Sequence, residues 1–337
     1  MNYKLFGNTG LRVSELCLGT MTFGTEWGTG ADRDTSKKIF DIYAEAGGNF
    51  LDTANFYTNG TSERFLGDFI KNDRDHFVLA TKYSLHDREG DPNFTGNHRK
   101  NMVRSVNESL KRLQTDYIDI LWLHMWDFTT SVEEVMRGLN NLVEQGKVLY
   151  IAISDTPAWI VAKANMVARQ HGWVEFSGLQ TEYSLVERTP ERDLLPMADD
   201  FGLSVTPWSP LGAGMLTGKY LNSMDGRLSE KSAKMTDHNL EIAKTVKSVA
   251  DEIGASPSQV ALQWLRQQNK SIIPIVGARK VEQIEDNLGC LKINLSNDQM
   301  DKLHDSSKID LGFPHEFLKK DATRSHLYGG TDSQIEW

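Results

Sequence analysis

Cysteine is nearly absent: Cys17 and Cys290 are the only two in 337 residues. Two thiols so far apart suggest neither a disulfide framework nor a zinc knuckle, and the reading is a reduced, cytoplasmic protein. Long apolar runs are missing as well. No stretch approaches the roughly 20 apolar residues that a membrane span needs, and Met1-Asn-Tyr-Lys-Leu-Phe-Gly7 lacks the apolar core of a secretory signal. Positive charge is in deficit. A formal net charge of −9 argues against nucleic acid as the main partner, while leaving room for a local basic pocket that holds an anionic cofactor. No Gly-x-Gly-x-x-Gly follows a first strand, so a doubly wound dinucleotide domain is unsupported. No Pro/Gly/Ser-rich linker divides the chain, and residues 1–337 read as one domain.

What is present is a repeat of strand and helix patterns. Apolar runs of strand length fall at about 15–19, 48–52, 77–82, 117–124, 148–154, 174–180, 203–208 and 271–276. Between them lie amphipathic stretches such as 35–46, 102–113 and 132–144, with apolar residues at three- and four-residue spacing. Gly47-Gly48 and Gly146 stand where C-terminal helix caps belong. Eight alternations of this kind predict an α/β fold with a parallel sheet closed into a (β/α)8 TIM barrel, its core at about 15–292. Residues 3–14 predict a β-hairpin around Gly7-Asn8-Thr9-Gly10 that plugs the barrel's N-terminal mouth. Ser256-Pro257 is an N-cap followed by a first-turn proline, so an extra helix, 257–268, is expected before the last strand. Residues 211–238 read as a long glycine-containing loop and a lid candidate. The C-terminal tail, about 305–337, is poor in periodicity but carries Phe313, Phe317, Leu327, Tyr328 and Trp337.

The predicted strands end on Asp52, Lys82, His124, Ser154-Asp155, Gln180, Trp208-Ser209 and Gly277. A polar or special residue at each such end marks the catalytic face of a barrel. Lys82 closes the apolar run Phe77-Val-Leu-Ala-Thr, where its charge needs a carboxylate partner, and Asp52 is the candidate. Tyr57, in the loop after Asp52, would donate a proton to a carbonyl oxygen, with the Lys82 ammonium lowering its pKa. His124 could hydrogen-bond the same oxygen and polarise it. Taken singly, an aspartate at a strand end such as Asp52 is more often a helix cap or loop-former, and a buried histidine such as His124 is usually a satisfied core residue.

These residues carry a resemblance. Asp52-Thr-Ala-Asn-Phe-Tyr57 with Ser62-Glu63, Ala80-Thr-Lys82, and Leu123-His124 with Asp127 are similar to the motifs of the aldo-keto reductase superfamily, whose Asp, Tyr, Lys and His tetrad falls at Asp52, Tyr57, Lys82 and His124. The match runs from Leu18-Gly-Thr-Met-Thr-Phe-Gly24 to Asn287. Thr58 departs from the glycine that commonly follows the tyrosine. The resemblance implies a nicotinamide cofactor on the barrel rim, near Thr20 and Met21. Ser154, Asp155 and Gln180 would bond the carboxamide and Trp208 would stack on the ring; Asp155 replaces the asparagine common there, keeping an acceptor and losing an amide donor. Residues 208–220, with Ser209, Pro210, Leu211, Gly212, Gly214 and Lys219, resemble the pyrophosphate loop. Gly277, Arg279, Gln283, Asp286 and Asn287 fall in the segment that holds the adenosine end. The Arg279 fork suits a 2′-phosphate, favouring NADP over NAD; an Arg279 paired with Glu282 would leave that preference undecided.

Trp27, Tyr83, Trp126 and the tail aromatics, with Phe23 and Met21, are candidates to wall a substrate pocket. The implied activity is NADPH-dependent, reversible reduction of aldehydes or ketones, with small-molecule carbonyl partners and no bound metal. A cofactor-binding regulatory subunit resembling the potassium-channel β-subunits remains open. A barrel hydrolase with a metal on Asp52 and His124 lacks the His-x-His that such barrels often show near the first strand, and Lys82 would repel the cation.

Overall fold

Side chains of a strand point alternately to its two faces, and in this chain the alternation separates a barrel interior from a helical layer. In the computed structural model, which describes residues 1–221, 228–229 and 231–336, ten strands form. β1 (Tyr3–Leu5) and β2 (Arg12–Ser14) pair antiparallel; β3 (Cys17–Gly19), β4 (Phe50–Asp52), β5 (Val78–Tyr83), β6 (Ile118–Leu123), β7 (Val148–Ser154), β8 (Phe176–Glu182), β9 (Ser204–Trp208) and β10 (Ile275–Gly277) form one parallel sheet in the order β10-β3-β4-β5-β6-β7-β8-β9. The ring closes just ahead of β10, where the Val205 N–H donates to the Ser271 carbonyl and the Ile273 N–H to the Val205 carbonyl. This is the (β/α)8 barrel that the pattern predicts.

Cys17, Phe50, Val78, Ala80, Ile120, Trp122, Ala152 and Ile275 fill the interior, while their neighbours Leu18, Leu51, Leu79, Leu121 and Ile153 pack under the helices. The hairpin is the plug. Phe6 is fully buried, edge-on to Phe50 at 5.8 Å and to Trp122 at 6.1 Å. Gly178 in β8 makes room for it: a Cβ there would stand 2.4 Å from the Phe6 ring. Lys4 Nζ donates to the Ile272 carbonyl and the Gly7 N–H to Ser204 Oγ, fastening the plug to β9 and to the segment ahead of β10.

Helices α1 (Arg33–Glu45), α2 (Thr61–Ile70), α3 (Arg99–Leu113), α4 (Val132–Glu144), α5 (Ala158–His171) and α6 (Leu194–Asp200) follow successive strands. Two helices, α7 (Asp237–Ile253) and α8 (Pro257–Gln268), separate β9 from β10. α8 carries the expected start, Ser256 and Gln259 forming a reciprocal capping box with Pro257 in the first turn.

The stretch expected as a long loop, 211–238, has no strand or α-helix among its described residues before Asp237, but it is locally ordered. Gly212–Thr217 and Lys219–Leu221 are 3-10 turns, and α7 begins at Asp237; 222–227 and 230 lie outside the described residues. The tail is likewise more ordered than its pattern suggests. After α9 (Val281–Leu288), α10 (Asn297–Ser306) packs on α7, and α11 (His315–Leu318) and α12 (Asp321–Tyr328) are short helices with Phe313, Phe317 and Leu327 exposed. Among the described residues no helix is long and apolar enough to cross a membrane.

Candidate active site

The inward register of each strand reaches the C-terminal mouth on a polar residue. Asp52 follows Phe50, Lys82 follows Ala80, and His124 follows Trp122, each two positions beyond an interior apolar side chain. Lys82 is fully buried and all three ammonium hydrogens are used: Nζ donates to Asp52 Oδ2 at 2.5 Å, to the Thr53 carbonyl at 2.9 Å and to the Tyr57 hydroxyl at 3.1 Å. Asp52 Oδ1 in turn accepts from Gln180 Nε2 at 3.1 Å. With both Asp52 oxygens taken, a cation between Asp52 and His124 would find an ammonium in its place.

Tyr57 opens a 3-10 turn, 57–60, in which Thr58 (φ 46°) and Asn59 (φ 55°) are left-handed. Such backbone persists only where the surroundings hold it. Thr58 Oγ1 donates to the Phe23 carbonyl, and Ser62 Oγ links Thr53 and Thr20. The fully buried Glu63, in the first turn of α2, accepts from Thr81 Oγ1 at 2.6 Å and from Arg112 Nε at 2.5 Å, joining the strand that bears Lys82 to the helix that follows Tyr57. The His124 ring stands edge-on to Tyr57, centroids 5.8 Å apart.

The electrostatics differ from expectation in one respect. Burial is the strongest influence on Tyr57 and raises its pKa; Lys82 pulls it down, and Asp52 pushes it up again, so the phenol ends above the ordinary tyrosine value. Lys82 counters burial without reversing it. The hydroxyl is therefore protonated at neutral pH. Burial also works to discharge Lys82, but the Asp52 and Tyr57 interactions prevail and its pKa is raised. Burial, aided by Lys82, holds His124 well below the usual imidazole range, leaving a neutral ring whose Nδ1 has no partner among the described residues.

Around this pit stand the residues of the predicted cofactor rim. Ser154 is buried, its Oγ without a partner among the described residues, the kind of orphan that a bound amide satisfies. Trp208 Nε1 donates to Asp155 Oδ1 at 3.0 Å. Thr20 is buried, its hydroxyl held by the Asp52 carbonyl and Ser62, and Met21 is partly exposed beside it. In the next loop Ser209 Oγ accepts from the Ala213 N–H, Pro210 is buried, Leu211 is half-buried, and Gly212 and Gly214 are left-handed. Lys219 lies beside Gly214 with its ammonium 4.8 Å from the Tyr220 ring centre. Gly277 and Arg279 are exposed; the Arg279 N–H donates to Gln283 Oε1, and the Arg279 guanidinium makes no ion pair with Glu282 or any other described residue. Asn287 is buried beneath Gly277. Asp286 is already engaged, its two oxygens accepting from Ser256 Oγ and Gln259 Nε2 at the start of α8. A free guanidinium, left-handed glycines and an orphaned hydroxyl on one rim fit an elongated anionic cofactor.

The expected pocket walls are partly corrected. Tyr83 is next to Lys82 in β5 and so points outward, buried with Met102 and Val106 under the helices; Trp126 packs on the same layer, and Phe23 is fully buried. Phe313 and Phe317 stack at 6.0 Å in an exposed part of the tail, Arg324 covers Tyr328, and Trp337 lies outside the described residues. Trp27 does stand at the mouth, 5.4 Å from Phe56 and 6.4 Å from Tyr57. Phe56 and His86, 5.0 Å apart, extend that wall. Sequence reasoning passed over both, because no periodicity marks a rim loop.

A model of the aldo/keto reductase family matches residues 15–308. The chain belongs to the aldo/keto reductase family. It is 40% identical over 341 residues to a norsolorinic acid reductase of Aspergillus flavus, covering 98% of this chain and 87% of that one. It is 41% identical over 341 residues to an aryl-alcohol dehydrogenase [NADP(+)] of Phanerodontia chrysosporium, covering 93% and 87%. Norsolorinic acid reductase B of Dothistroma septosporum is 40% identical over 333 residues, covering 94% and 84%. In this aldo/keto reductase the tetrad motif falls on four side chains gathered at one mouth of the barrel.

Proposed function

We propose that this chain is an NADPH-dependent reductase of aldehydes and ketones, acting on carbonyls attached to flat aromatic rings. The observation that carries the reading is the Lys82 ammonium bridging Asp52 and Tyr57 beneath a neutral His124. When bound, the nicotinamide supplies hydride to the carbonyl carbon. The Tyr57 hydroxyl, protonated at neutral pH, gives its proton to the carbonyl oxygen. Lys82, itself held charged by Asp52, stabilises the phenolate that remains. His124, uncharged, offers a hydrogen bond to the same oxygen without competing for the proton.

Ser154, Asp155 and Gln180 would hold the carboxamide, with Trp208 against the ring. The loop from Ser209 to Lys219 would take the pyrophosphate, and Gly277, Arg279, Gln283 and Asn287 the adenosine end. The unpaired Arg279 guanidinium supports NADP over NAD, as does the name of the Phanerodontia chrysosporium relative. The aromatic wall of Trp27, Phe56 and His86 and the relatives' names support an aryl substrate.

The test is a screen of aromatic and aliphatic aldehydes and ketones with NADPH and NADH, following loss of nicotinamide absorbance. Turnover of aryl carbonyls with a preference for NADPH is expected. Cofactor binding without turnover of any carbonyl would contradict the proposal.

A further inference from the structure

We infer that the Asp155 carboxylate makes this site discriminate between the redox forms of its cofactor, favouring the oxidised, cationic nicotinamide ring over the reduced, neutral one; this rests on the cofactor reading above. Asp155 follows β7 and is left-handed (φ 40°), a conformation that aspartate and asparagine tolerate better than most residues. That backbone sets Oδ1 on the indole N–H of Trp208, two strands away. Oδ2 accepts from no other described residue, and neither oxygen forms an ion pair.

The charge balance of the pit follows. Asp52 is neutralised by Lys82 at 2.5 Å, Tyr57 and His124 are uncharged, and Glu182, whose charge acts on Asp155, is paired with Lys234. Among these groups Asp155 is the anion without a cationic partner, shielded from solvent on most sides and therefore weakly screened. Burial raises its pKa, the Trp208 hydrogen bond and the Lys82 charge offset part of that, and the Glu182 charge adds to it, so the carboxyl ends above the ordinary aspartate value. An uncompensated carboxylate on the wall that faces the nicotinamide attracts a ring bearing positive charge and does nothing for a neutral one. An amide in its place would still accept from Trp208 but would carry no charge.

The experiment titrates the full-length wild type, Asp155→Asn and Asp155→Gly with NADP+ and with NADPH at pH 8, following quenching of tryptophan fluorescence. Glycine accepts the left-handed backbone, so the two variants remove the same charge by different routes. Unliganded melting curves report whether each is folded. The ratio Kd(NADPH)/Kd(NADP+) is expected to fall by roughly tenfold in both variants, the order expected of one weakly screened charge. An unchanged ratio in two folded variants overturns the inference. A change in Asp155→Gly alone also overturns it, because the hydrogen bond to Trp208 would then be the cause. A wild type that binds neither form overturns the nicotinamide reading itself, which separates the two failures.

Discussion

At the residue scale, His124 shows how burial sets chemistry. Its neutral state follows from its place above Trp122 and near Lys82, with burial the larger cause. The unfolded chain takes up a proton on this ring near pH 6.5, whereas the folded chain resists it. Its contribution is therefore complete above pH 6.5 and is lost as pH falls below it, by up to about 1.4 kcal/mol per pH unit. His124→Gln should flatten this part of the profile. Urea unfolding at pH 7 and pH 5.5 is the check, and equal losses in wild type and variant would show that His124 does not resist protonation. The tetrad was legible in the sequence because a lysine ending an apolar strand demands a buried partner, and Asp52 ends the strand beside it. The Asp155 to Trp208 bond was not, since it joins residues 53 apart that meet across β8 only in the folded sheet. Nor was the direction of the Tyr57 shift, because sequence names the neighbouring cation but not the depth of burial that outweighs it.

At the scale of elements, the hairpin, the eight barrel strands and α8 could be read from period and capping residues. α7 could not: its first residues fall in a glycine- and serine-containing stretch that reads as loop until the helix is seen packing on α8 and α10. Tyr83 was misplaced for a different reason. Strand alternation sends it outward once Lys82 points in, and aromatic character alone does not reveal that. The plug supplies the element-scale prediction. Phe6→Ala removes a fully buried ring that touches Phe50 and Trp122, at an expected cost of about 3–5 kcal/mol. Because Phe6 lies at the mouth opposite the tetrad, kcat at 25 °C should change little. Urea unfolding paired with steady-state kinetics checks this; a loss well under 1 kcal/mol would mean that the hairpin does not seal the core.

At the scale of the whole molecule, the barrel sets the proposed cofactor contacts apart from the proposed proton donor. The proposed cofactor contacts are spread over β7 to β10 and the loops that follow them, whereas the proposed acid, Tyr57, sits on the turn after β4, held by Lys82 from β5 and by the Glu63 and Arg112 pair. Removing one oxygen atom from that turn should therefore stop the reaction and leave the cofactor bound. The direct measurement is Tyr57→Phe, assayed for carbonyl reduction and titrated with NADPH by fluorescence quenching. The account predicts loss of turnover by about a hundredfold or more, the scale of a missing general acid, with the NADPH Kd within a few fold of wild type. Near-normal turnover in this variant would contradict it.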